Sequence, residues 1–117
     1  MPPASDVTAS VRRAASIAAC FLMVAASPVI SGDPAAGRAK TRPCVNCHGV
    51  DGVSQVPDAP NLSGQVEIYT AEQLRAYRSG KRKHPVMNII AKDLSDADID
   101  DLAAWYASIK IVLKPAE

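Results

Sequence analysis

Apolar and polar positions follow a helical rhythm over part of this chain and none over the rest. From Ser95 onward, Ile99, Leu102, Ala103, Tyr106 and Ile109 return to one helix face and Trp105 lies on an adjoining stripe, while Ser95 and Asp98 open the run as a capping box. A second helical stretch carries Leu74 and Tyr77 on one face. Thr70 and Gln73 are spaced to form its capping box, and Gly80 stops it. A shorter one lies between Gly32 and Arg42, with Asp33 as N-cap, Pro34 in the first helical position and Pro43 beyond its end. Residues 49–66, "GVDGVSQVPDAPNLSGQV", keep neither period and are dense in Gly, Pro, Asp and Ser, which reads as a long loop. Loops of that length inside a small domain usually serve a function. Residues 81–93, "KRKHPVMNIIAKD", read as a basic loop that turns apolar. No stretch alternates as a strand would, so the expected fold class is all-α, three or more helices around a loop-rich middle.

The beginning of the chain has another character. Arg12 and Arg13 precede Ala14 to Ala26, an uncharged run containing Ile17, Phe21, Leu22, Met23 and Val24, which is the shape of a secretory signal peptide. Val29-Ile30-Ser31 best meets the small-residue rule for cleavage. A retained anchor would need roughly 20 apolar residues, and this run is shorter and meets Pro28 and Ser31. Cys20 sits too close to Arg13 for a lipid-bearing cysteine, and the arginine pair lacks the flanks of the twin-arginine route. The 117 residues therefore divide into a leader, 1–31, removed on export to the periplasm, and one domain, 32–117.

Subtracting the leader changes the picture of the composition. Basic and acidic residues balance over 32–117, so charge suggests neither nucleic acid nor membrane as a partner, and the domain is expected to be soluble. Tyr69, Tyr77, Trp105 and Tyr106 are its only aromatics. So small a domain with so few large side chains needs a staple or a bulky cofactor at its centre.

The remaining cysteines, Cys44 and Cys47, stand three positions apart and are followed at once by His48. A thioredoxin-like redox pair would need a βαβ setting, which the chain does not offer. Zinc would need four ligands in tetrahedral array, and adjacent Cys47 and His48 with a distant His84 are awkward for that. A disulfide would leave His48 without a role. Covalent haem uses all three residues: each thiol adds to a haem vinyl group, and the next residue offers its imidazole to the iron. Met87, the only methionine of the domain, would otherwise read as a soft gap-filler. With haem granted, it can supply the second half of a Met/His axial pair. His84 is the rival for that place, though it stands among Lys81, Arg82 and Lys83 as surface residues do. Trp105 reads as core at a helix crossing.

On these residues the chain resembles a class I cytochrome c of the small bacterial single-haem type, similar also to one half of the two-haem bacterial cytochromes c. The resemblance spans 32–113 and rests on "AAGRAKTRPCVNCHGVDG", "APNLSGQ" and "EQLRAYRSGKRKHPVMNIIAKDLSDADIDDLAAWYASI" in that order. It implies a cytochrome c fold wrapped around one haem c, covalent through Cys44 and Cys47, with His48 and Met87 on the iron. It further implies that the Pro60 carbonyl receives the His48 ring N–H, that Leu62 packs on the haem, that Arg82 reaches a propionate, and that Gly37 lets the first helix cross the last at Leu102 and Trp105. Two strong axial ligands leave no open coordination position, so the expected function is periplasmic electron transfer between redox-protein partners. Two other readings use the same residues: a haem subunit of a larger periplasmic dehydrogenase, and a peroxidase-like enzyme with an open sixth position. The basic set Arg75, Arg78, Lys81, Arg82 and Lys83 precedes Met87 and the acidic set Asp93, Asp96, Asp98, Asp100 and Asp101 follows it; both read as solvated surface, and the place of the basic set beside Met87 gives it a second reading, the steering of an acidic partner.

Overall fold

The computed structural model describes residues 31–115. The leader expected over 1–31 therefore falls, but for Ser31, outside the described residues. Five helices follow in order: α1 (Pro34–Ala39), α2 (Val45–His48), α3 (Glu67–Arg78), α4 (Met87–Ala91) and α5 (Asp96–Ser108). There is no strand among the described residues. None of the described helices is long and apolar enough to cross a membrane.

Local chemistry sets the helix ends. Asp33 accepts a hydrogen bond from the Ala35 N–H at 2.8 Å, and Pro34 occupies the first turn of α1, where its missing N–H costs nothing. Ser95 and Asp98 close a reciprocal capping box at the start of α5. The start of α3 differs from expectation. Thr70 does not cap it: the helix begins three residues earlier at Glu67, and the buried Thr70 hydroxyl instead donates to the Val66 carbonyl one turn back. Likewise α1 ends at Ala39 rather than near Arg42, and Ile109 stands just past the end of α5. The short α4 was read from the sequence only as loop.

α1 and α3 both pack on α5, and α4 packs on α3. Gly37 is where α1 meets α5. A Cβ there would run into the Asp101 carbonyl and lie 2.9 Å from Trp105 Cβ, so the closest approach at this crossing is to Asp101 and Trp105. Leu102 points elsewhere, toward the interior cavity described below. Two charge clusters fasten helices to α5: Lys40, at the end of α1, bridges Asp98 and Asp101, while from α3 Arg75 pairs with Asp100 and Arg78 with Asp96. The packed centre is thin. Ala71, Ile99 and Ala103 form its core with Leu74 and Leu94 against them, and among the described residues the largest wholly buried side chains are Tyr106, Ile99 and Leu102. Alanine faces bring backbones close but supply little area, so this packing leaves room for something else between α3, α5 and the long loop.

Candidate functional site

That room is an open-sided cavity of about 220 Å³, walled mostly by apolar surface. Three separate segments bring chemistry to it. The first is α2, a single turn. Cys44 sits at its N-cap, and the His48 N–H donates to the Cys44 carbonyl at 2.9 Å, so Cys44 and His48 lie one turn apart on the same face and both line the cavity. Cys47 is half-buried and does not line it. Both cysteines are free thiols. Gly49 ends the turn at φ 75°, in the left-handed region where a side chain would be strained.

The second segment is the long loop, which folds back on itself. The Gln55 N–H donates to the Cys47 carbonyl, the Leu62 N–H to the Gly52 carbonyl, and Asn61 accepts from the Ser54 N–H. The result returns Pro60 to the histidine: His48 Nδ1 lies 2.8 Å from the Pro60 carbonyl oxygen. A carbonyl can only accept, so Nδ1 carries the proton. No hydrogen bond engages Nε2 among the described residues, and it is left as the basic ring nitrogen. Pro60, Asn61 and Leu62 line the cavity.

The third segment enters from the far part of the chain. Met87, at the first position of α4, lines the cavity together with Leu74 and Tyr77 of α3 and Leu102 and Tyr106 of α5. Arg82 also borders it, but its guanidinium is already occupied: it donates to Gln73 Oε1 at 2.6 Å and lies over the Tyr77 ring at 4.6 Å. His84, the rival to Met87, does not line the cavity and is exposed. Trp105 is half-buried and donates through Nε1 to the Val50 carbonyl, tying α5 to the loop.

One residue that sequence reasoning assigned only to the core speaks most directly about what the cavity holds. The Tyr106 hydroxyl is buried without a hydrogen-bond partner, and its polar neighbour is the Cys44 thiol, too weak a partner to satisfy it. Burial, with the adjacent sulfur, pushes the Tyr106 phenol well above its ordinary value, and burial likewise raises the Cys44 thiol. An apolar cavity bounded by a free imidazole nitrogen, a thioether and a half-buried cysteine, with an orphaned hydroxyl beside it, fits a large apolar cofactor with polar edges. It does not suit a bare cation, and no group of three or more His, Cys, Asp or Glu side chains is assembled for one among the described residues.

The charge pattern contracts in the fold. Arg75 and Arg78 are paired with Asp100 and Asp96, so Lys81, Arg82 and Lys83 remain as exposed cations next to the Met87 segment, the Arg82 guanidinium held by the uncharged Gln73 and Tyr77. The acidic set is consumed in the same pairs and in those of Lys40, with Asp93 left exposed.

Comparison with known proteins agrees with this geometry. A family model described as cytochrome c matches residues 35–110. Cytochrome c-554(548) of Halomonas halodenitrificans is 47% identical over 81 residues, which cover 67% of this chain and 98% of that protein. Cytochrome c4 of Pseudomonas aeruginosa is 42% identical over 87 residues, 74% of this chain and 43% of that one. Among solved structures, reduced recombinant cytochrome c4 from Pseudomonas stutzeri aligns with a TM-score of 0.65 at 39% identity, covering 68% of this chain and 47% of its own. The chain thus spans nearly all of the first relative and less than half of each cytochrome c4. Its cofactor is the covalently attached haem c of that fold, and the chain belongs to the cytochrome c family.

Proposed function

We propose that this protein is an exported, periplasmic single-electron carrier in which Cys44 and Cys47 would anchor one haem c and His48 and Met87 would bind its iron. Bound there, haem c supplies reversible one-electron cycling between ferric and ferrous iron. The chain's own residues do the rest. The Pro60 carbonyl holds the His48 ring in one tautomer and one orientation, as partners of ligating histidines commonly do, and makes Nε2 a better donor. The Met87 thioether favours the ferrous state and raises the reduction potential. Leu62, Leu74 and Leu102 keep water from the cavity, which works in the same direction.

The observation that carries this reading is the convergence of His48, Met87 and Cys44 on one apolar cavity. If His48 and Met87 both bind the iron, the chain itself would supply the ligands that oxygen or peroxide would have to replace, which argues against a peroxidase-like enzyme. Partners are then redox proteins that meet the cavity's open side for a brief electron exchange.

Spectroelectrochemical titration of the haem-loaded protein tests the ligand set. The wild type is expected to give one reversible one-electron wave with low-spin spectra in both states. Met87→Ala is expected to lower the potential, convert the ferric form to high spin and admit imidazole. An unchanged ferric spectrum and potential in Met87→Ala would remove Met87 from the iron.

A further inference from the structure

α4 begins without the usual capping oxygen, and the reason lies three residues before it. The Val86 and Met87 N–H groups both donate to His84 Nδ1, at 3.3 and 3.2 Å, and the Asn88 N–H donates to the His84 carbonyl at 3.1 Å. These are the bonds of an N-cap residue, with Pro85 in the first helical place after it. An imidazole nitrogen thus stands where Asp, Asn or Ser normally supplies an oxygen. Asn88 returns the contact: its Oδ1 accepts from the His84 N–H at 2.7 Å, and its Nδ2 donates to the carbonyls of Tyr77 at 2.6 Å and Arg82 at 2.8 Å. The His84 ring also meets Tyr77 edge-on, with centroids 6.4 Å apart.

Three of these bonds hold the backbone N–H groups of Val86, Met87 and Asn88, and the Asn88 side chain ties that turn to the carbonyls of Tyr77 and Arg82. α4 has five residues, too few to hold itself together, and exposed Val86 and Ile89 flank Met87 without anchoring it. The fixed point is α3, whose Tyr77 end is tied by Asn88. Resting on the proposed ligation by Met87, we propose that His84, locked by Asn88, is a positioning residue: it holds the Met87 turn against α3 so that the sulfur stays at the cavity and the sixth position stays shut. It does so through a hydrogen-bond-accepting nitrogen and not by binding iron itself.

The test uses the haem-loaded full-length protein and compares His84→Ala, His84→Asp, Asn88→Ala and Met87→Ala. It measures the rate of imidazole binding to the ferric form, the ferric thioether-to-iron absorption band, and the urea midpoint. His84→Ala should speed imidazole binding roughly fivefold, the factor a lost cap typically represents, and weaken the band. Asn88→Ala should move both the same way, and His84→Asp, a strong cap, should restore both. If His84→Ala changes neither while Met87→Ala changes both, the ligand stands and the positioning role is overturned. If Met87→Ala changes neither, the ligand assignment fails and the proposal with it. A His84→Ala that lowers the urea midpoint without faster binding, or a His84→Asp as open as His84→Ala, also overturns it.

Discussion

Asp98 shows how much a single side chain can be asked to do. Its carboxylate accepts from Lys40, from the Ser95 hydroxyl and from the Ser95 N–H, and these partners, Lys40 first, hold its pKa far below the usual carboxylate range. Lys40 also lowers Asp101, and Arg78 lowers Asp96. Each of these groups binds its proton less readily folded than unfolded. Their stabilisation is therefore present above the ordinary carboxylate pKa of about 4 and is lost as pH falls below it. Urea midpoints of the haem-loaded protein are expected to drop steeply from pH 5 to pH 3, and Lys40→Met should flatten that drop. An equally steep drop in Lys40→Met would remove Lys40 from the account. At this scale the sequence was informative where chemistry demands neighbours: the Cys44, Cys47, His48 run is local, so spacing alone exposed it. The His84 cap and the orphaned Tyr106 hydroxyl were hidden because each takes its meaning from a group distant in the chain or from an unusual atom in a familiar role.

Helices announced themselves in proportion to their caps. α1 and α5 start with Asp33 and Ser95, side chains that bind the backbone within three residues, and both starts were legible. α3 has Val66 at its N-cap with no side-chain bond, and the apparent capping box at Thr70 misleads because burial turns that hydroxyl back along the helix. α4 has five residues and a histidine cap, a combination that propensity does not reveal. The α1–α5 crossing was expected at Leu102 and Trp105; Trp105 is at it, and the backbone nearest Gly37 is one residue before Leu102. Gly37 was the right contact on α1, but the backbone it approaches is that of Asp101, whose carboxylate also holds Lys40 and the Asp33 N–H. Periodicity marks the buried face of a helix; it does not say which carbonyl a neighbour will touch.

Taken whole, the molecule is a thin alanine-rich core folded around a cavity, with Lys40, Arg75 and Arg78 paired to α5 carboxylates to hold α1 and α3 to α5. The broad charge asymmetry of the sequence reduces to Lys81 and Lys83, with Arg82 between them, beside the Met87 segment. If these lysines steer an acidic redox partner, electron transfer should slow as ionic strength rises, since their field is screened beyond roughly 8 Å at physiological salt. Neutralising both should slow it at low salt and leave the potential nearly fixed. A rate that is flat or rising with salt would reject docking at this loop. The scarcity of large side chains was visible from composition and pointed correctly to a bulky cofactor. The cavity's walls were not, because Asn61, Gln65 and Gln73 join them only through the fold. All of this depends on one haem joined to Cys44 and Cys47, and the intact mass of the chain recovered from the periplasm under denaturing conditions tests that most directly. The account predicts the mass of residues 32–117 plus one haem; the same processed chain without that increment would contradict it.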